Sequence, residues 1–453
     1  MTSCRSSTIR PEIEKLVQQI EKSNTLKYDH VGLDGHTPVL YKSFIKLRDK
    51  ATNEELLLLL KRKNSVVKGY ASMALADKKY PKLYEIITPF IESREIVETQ
   101  KSDMETKEEL AEVFYFWVYY QNNINKLSSK DSLFFMKQSQ KIDSVIICSN
   151  KSTGFLLEVA LENTNVNTSI YLRVKELALK KNKYAIITLA KYKKQEDIPL
   201  LIGLGENSLL AISYFPDKAF WNFLLKYKES KRSLDYFMAI ASYKNKKAEE
   251  LLNKIYPTCD SIAIISLDEA LIHNYCIIYQ DLILKIWVDS KTIDLSGAIK
   301  LINECPNKSS LSFAKGLLNN KANNFLEFDS NYGTKDSIMP LLLKNIAKYN
   351  KGLLLNICNK NIATTEFMDL ASILDLIKKN HIIETKQSLL NRLTTQNYPF
   401  DIFQITETLL SFKDLKTNKK LLVILNQNKK DWDRGNWSEA FRKLLTDNKL
   451  ELN

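Results

Sequence analysis

The sequence predicts an all-α protein, an α-solenoid in which short helical hairpins stack and each covers the apolar face of the next. Three observations carry this. Glycine and proline are scarce, 11 and 10 in 453 residues, which disfavours a turn-rich β fold. Apolar residues recur at helical spacing in segment after segment. The clearest segment, Thr52–Ile91 (TNEELLLLLKRKNSVVKGYASMALADKKYPKLYEIITPFI), reads as two and a half short helices, each apolar on one face. Such a unit buries that face only against a neighbour of the same kind.

From the N-terminus, Pro11–Asn24 is a helix with Ile13, Leu16, Val17 and Ile20 on one face, and 28–37 is a glycine loop. His30, Asp34 and His36 share the loop and are zinc-ligand types, but three ligands without a fourth read as a turn, so no metal is expected. Pro38–Lys50 is the next helix. Thr52 and Glu55 then form a capping box ahead of Leu56, Leu59 and Leu60, with Lys61, Arg62 and Lys63 at the negative end of the helix dipole. Asn64 caps a second helix whose inner face is Val67, Tyr70, Ala71, Ala74 and Leu75. Pro81 suits the first turn of a third, with Leu83, Ile86, Ile87, Phe90 and Ile91 inward. Glu92, Glu95 and Glu98 read as a solvated helix surface. The charged run KSDMETKEELAE leads into VFYFWVYYQ, aromatic all round and so buried on both sides; within it Trp117 is a candidate partner contact, because Trp dominates binding hot spots.

The string VVKGYASMAL resembles the second helix of HEAT-type repeats, where paired Val and a basic residue precede a small-residue face. The wider text from VGLDGHTP to YASMAL is similar to bacterial proteins with degenerate HEAT-like repeats, over Val31–Thr99 and again over Tyr171–Ile202. The resemblance implies a HEAT-like superhelix and brings no catalytic residues. The opening MTSCRSST resembles the end of a bacterial lipoprotein signal, without the charged and apolar regions that precede one. On that resemblance Cys4 is the candidate lipidation site and the cell envelope the expected location, with the cytoplasm as alternative.

Beyond residue 130, helices are expected at Asp131–Ser149 and Phe155–Leu161, with a domain boundary at Asn150–Gly154. Repeat units recur near Tyr184, Leu210 and Tyr236, about 26 residues apart, as in helical-hairpin solenoids. Ser266–Val288 is apolar and holds His273 and Cys276, three apart as in a nucleophile–base pair, though core packing is the expected role of both. Asn319–Lys335 is a polar second boundary. Helices follow at Met339–Tyr349, Gly352–Asn359, Thr365–Lys379, Glu384–Thr394, Phe403–Phe412 and Lys419–Asn426. The C-terminal DWDRGNWSEAFRKLLTDNK reads as a capping helix, with Trp432 and Arg434 ahead of it as candidate partner contacts. The expected regions are 1–30, 31–149, 155–318 and 336–453.

The net charge is +13, which fits an anionic partner. The excess is Lys, with ten Arg in the chain, and it is spread along the sequence, so a solvated surface is the plainer reading. The six cysteines make no CxxC pair or zinc spacing, and Cys148 and Cys276 read as small core residues. No run of about 18 apolar residues marks a membrane helix. No P-loop, dinucleotide fingerprint, HExxH, GxSxG or EF-hand loop is present; Gly203 and Gly205 in IGLGEN lack the lysine or third glycine of a phosphate loop. No cofactor is expected and no enzyme activity. The expected function is a scaffold that binds a protein partner, with nucleic-acid binding on a Lys-rich concave surface as alternative.

Overall fold

The structure is a computed structural model that describes residues 8–31, 35–123, 128–152, 154–228, 232–289, 295–305, 307–318, 345–347, 350–364 and 367–451. The chain is mostly helical and divides into two compact units, Met1–Phe220 and Trp221–Asn453. The boundary expected at Asn150–Gly154 therefore falls inside the first unit, as a turn across which two packed helices meet. The one expected at Asn319–Lys335 lies outside the described residues, as do Cys4 and Asp34.

The first unit begins α1 (Pro11–Glu21), β1 (Thr25–Val31), α2 (Val39–Lys50), α3 (Asn53–Leu59), α4 (Ser65–Asp77) and α5 (Leu83–Ser93). It continues β2 (Ile96–Ser102), β3 (Met104–Glu109), α6 (Leu110–Asn123), α7 (Ser129–Cys148) and α8 (Gly154–Asn163). Then come α9 (Tyr171–Leu179), α10 (Lys183–Lys191), α11 (Ile198–Gly203) and α12 (Leu209–Ile212). The caps are those the sequence implies. The Thr52 hydroxyl accepts from Glu55 N–H at 3.2 Å, and Glu55 Oε2 accepts from Thr52 N–H at 2.9 Å. Asn64 Oδ1 accepts from Val67 N–H at 3.0 Å. Glu55 is also gripped by Arg10, whose Nε and Nη2 each donate at 2.9 Å, and these bonds hold its carboxyl down at about 2.

The α4 helix is the centre of the unit. Ten of its residues, from Val66 to Ala76, are buried, and α2, α3, α6 and the sheet all pack on it.

Beside its helices the first unit carries one small three-stranded sheet, which the helical periodicity did not indicate. Strands lie in the order β1-β2-β3, with β1 parallel to β2 through the α2–α5 crossover and β2 antiparallel to β3. Glu98, expected on a helix, is on β2, and residues expected in the 28–37 loop supply part of β1. The miss has a physical cause. Few residues of the sheet turn inward, chiefly Leu26, Val31, Val97 and Thr99, and β2–β3 is held by polar cross-strand pairs instead. Thr99 and Thr106 hydroxyls meet at 3.0 Å, and Lys107 faces Glu98 at 3.7 Å.

Two residues of α4 seat the sheet. A Cβ on Gly69 would stand 2.5 Å from Leu26 Cδ1, so glycine is what lets β1 lie so close. The next residue, Tyr70, is fully buried. Its hydroxyl accepts from Lys27 N–H at 3.0 Å and donates to Lys27 C=O at 2.7 Å, sealing backbone groups that an edge strand otherwise leaves open.

Helix ends in this glycine-poor chain are turned by lysine. Lys79, Lys181, Lys193, Lys244, Lys413 and Lys449 all have φ between 49° and 62°, the left-handed conformation usually given to glycine at that position. At Lys79, Lys181 and Lys449 the following N–H reaches back to Leu75, Leu177 and Leu445 C=O at 2.9–3.1 Å, the long bond of a Schellman turn.

The second unit comprises α13 (Trp221–Leu225), α14 (Leu234–Ala241), α15 (Lys246–Ile255), α16 (Ser261–His273), α17 (Gln280–Asp289), α18 (Leu295–Glu304) and α19 (Asn307–Leu318). After them come α20 (Lys351–Thr364), α21 (Phe367–Lys379), α22 (Lys386–Thr395), α23 (Pro399–Ser411), α24 (Leu415–Gln427), α25 (Lys429–Trp432) and α26 (Asn436–Asp447). Helices two apart in sequence pack on each other: α14 on α16, α17 on α19, α20 on α22, α21 on α23 and α22 on α24. The first unit does the same in α4–α6, α5–α7 and α10–α12.

Candidate functional site

Trp117, singled out from the sequence, lies at a cleft of about 670 Å³ lined by Tyr41, Arg48, Asp49, Asp77, Lys78, Trp117 and Gln121. Three helices supply these residues. Asp77 ends α4, so its carboxylate emerges from the most buried helix of the unit between α2 and α6. Trp117 and Gln121 are four apart on α6 and share a face. The Trp117 indole N–H donates to Asp77 Oδ1 at 2.7 Å, and Gln121 Nε2 donates to the same oxygen at 3.1 Å. Arg48 Nη1 reaches Asp77 Oδ2 at 3.4 Å while its Nε donates to Asp49 at 2.9 Å. Lys78 Nζ donates to Arg48 C=O at 3.0 Å.

The wall behind Trp117 is aromatic. Phe44 meets the indole edge-on at 6.0 Å, stacks on Tyr70 at 4.9 Å and touches Tyr41 at 5.3 Å. Burial raises the Asp77 carboxyl, opposed by the Trp117 and Arg48 donors. Burial also pushes the Tyr41 phenol up to about 12, with Asp29 and Asp77 adding to it, so Tyr41 stays a neutral donor at physiological pH. Asp77 has both oxygens engaged and serves to hold the indole and guanidinium in fixed orientations. The rim then presents Arg48, Lys78, Asp49 and the Tyr41 hydroxyl. The cleft thus gathers Trp, Tyr and Arg, the residue types enriched at binding hot spots.

The other sequence-picked contacts fare differently. Trp432 is 1% exposed, its indole donating to Leu425 C=O at 2.9 Å and its ring against Phe441 at 4.7 Å. It is a core anchor of α24 and α26, which corrects its reading as a contact. Arg434 is exposed and donates to Asn397 C=O at 3.2 Å. Cys148, read as core, is exposed at the end of α7. Cys276 is extended backbone beyond the end of α16 (φ −148°), so it does not share a helix with the exposed His273. His30 pairs with Asp29 at 2.9 Å, and among the described residues no group of three or more His, Cys, Asp or Glu is placed to hold a metal. Among the described residues no helix is long and apolar enough to cross a membrane.

The sequence reading missed Arg48, Asp77 and Gln121. The available signal was Asp77 closing an otherwise apolar helix. The same device recurs: buried Asp143 accepts from the Tyr115 hydroxyl at 2.9 Å, buried Asp268 from the Trp287 indole at 2.9 Å, and buried Asp197 from the Tyr171 hydroxyl at 2.9 Å and Lys175 at 2.6 Å. No protein-family model, curated protein or solved structure matches the chain.

Proposed function

We propose that the protein is a non-enzymatic interaction scaffold of HEAT-like helical hairpins that grips a protein partner through the Trp117 cleft of its first unit. The packing of helices two apart in sequence supports the repeat reading, since stacked hairpins make that contact pattern. The observation that carries the partner-binding role is the cleft itself: an indole and a guanidinium fixed by one half-buried carboxylate, beside a half-buried tyrosine. Side chains held before binding lose less entropy when a partner arrives. Attachment to the bacterial envelope through a lipid on Cys4 is a separate part of the proposal, tested by the intact mass of protein from its native host.

The test of the cleft is site-specific photo-crosslinking in the native host. A crosslinker at Gln121 is expected to give one discrete protein adduct, suppressed by Tyr41→Ala and Arg48→Ala. The same crosslinker at exposed Lys183 is expected to give none. Identical adducts from both positions, or none from Gln121, would overturn the reading.

A further inference from the structure

The helices α20, α22 and α24, with sequences KGLLLNICNKNIAT, KQSLLNRLTT and LKTNKKLLVILNQ, contain no Asp or Glu. α22 packs against α20 on one side and α24 on the other, so the three form one continuous layer. Carboxylates of this region sit in the opposing layer, where Asp375 of α21 pairs with Lys379 and Glu407 of α23 pairs with Lys378. At the N-terminal end of the layer Glu384 and Asp414 pair with Lys351 and Lys386. Past that end, among the described residues, the three helices put no acid of their own on the outward stripe. It runs through Gln387 and Asn391 on α22, and Lys416, Lys419 and Lys420 on α24, all exposed.

At 100° per residue the three α24 lysines fall within an arc of about 100°. Like charges three and four apart repel on a helix, and among the described residues no carboxylate pairs with Lys416, Lys419 or Lys420. A polyanion would turn that repulsion into attraction. Lysines with neutral amides between them match phosphate contacts, whereas base reading favours the arginine fork. A lipid surface fits less well. The exposed aliphatics, Leu415 at 78% and Val423 at 57%, are confined to α24, while α20 and α22 offer amides where a membrane-binding face needs apolar residues.

We propose that the outward face of α20, α22 and α24 binds the phosphate backbone of nucleic acid without reading its sequence. Helices in contact are about 8–10 Å apart, so the layer spans roughly 20 Å of duplex. Three lysines, Lys416, Lys419 and Lys420, each releasing about 0.9 of a counterion, give a log–log salt slope of about −2.7.

The experiment is fluorescence anisotropy of a labelled mixed-sequence 20-base-pair duplex with the full-length protein, from 25 to 200 mM NaCl. The triple variant K416Q/K419Q/K420Q is expected to flatten the slope by about 2.7 and to weaken binding at least tenfold at 50 mM. The charge-matched control K180Q/K181Q/K183Q, in the first unit, is expected to stay within twofold of wild type. Should the triple variant unfold by circular dichroism, K419Q alone is expected to flatten the slope by about 0.9. No duplex binding at 25 mM salt, or equal losses in both triple variants, overturns the proposal. So does lysine-dependent binding to phosphatidylserine vesicles or a poly-glutamate peptide with none to the duplex, which would assign the face to a membrane or an acidic protein.

Discussion

Replacing Asp143 by Asn tests how the first unit tolerates a carboxyl in its interior. Asp143 is 2% exposed on α7, where α6 and α8 both pack. It accepts from the Tyr115 hydroxyl at 2.9 Å, and that hydroxyl in turn accepts from Asn163 at 3.2 Å. Burial pushes the carboxyl from 3.8 up to about 7, with the Tyr115 hydrogen bond opposing. A folded-state value raised above the unfolded one means the folded protein holds its proton more tightly. The associated stability is complete below the unfolded value near 3.8 and is lost as pH rises through about 7. The whole effect is about 4 kcal/mol at 1.36 kcal/mol per unit, of which more than half falls between pH 5 and pH 8. Asparagine keeps the shape and the acceptor for Tyr115 but carries no proton to lose. Urea unfolding of wild type and Asp143→Asn at pH 5, 6.5 and 8 should therefore show wild type losing about 3 kcal/mol more than the variant across that range. Parallel pH profiles for the two proteins would refute the reasoning.

Three further substitutions probe the packing of α4 and its neighbours. Gly69→Ala gains about 1 kcal/mol of helix propensity but drives a Cβ into Leu26; overpacking of about 1–3 kcal/mol should leave it neutral to destabilised, with Leu26→Ala in a double-mutant cycle relieving the clash. A clear stabilisation by Gly69→Ala alone would contradict the contact. Tyr70→Phe strands both backbone groups of Lys27 and should cost about 1–3 kcal/mol, read by urea unfolding and by faster amide exchange at Lys27. Lys181→Gly should raise stability by about 0.5–1 kcal/mol, because glycine adopts the left-handed conformation without the Cβ penalty; a lower melting temperature would reject that account.

What could be read in the sequence was local. The capping box at Thr52 and Glu55 and the inner face Val67–Tyr70–Ala71–Ala74 depend on residues within one or two turns, so periodicity and cap chemistry suffice. The sheet depends on Leu26 meeting Gly69 and on Thr99 meeting Thr106, and a charged strand with so few inward residues has no strong period. The cleft was legible only at Trp117. Its partners Arg48, Asp77 and Gln121 come from three helices, and none carries a local signature of the contact. The packing of α20, α22 and α24 side by side was hidden for a similar reason, since their residues lie far apart along the chain.

The left-handed lysines have a consequence for how the chain meets proteases. Where glycine would leave a turn unmarked, Lys79, Lys181, Lys193, Lys244, Lys413 and Lys449 are exposed at helix ends and each offers trypsin its cleavage residue. Because these sites fall between elements, nicking there would release pieces that begin and end at helix boundaries. A brief tryptic digest thus becomes a map of the architecture.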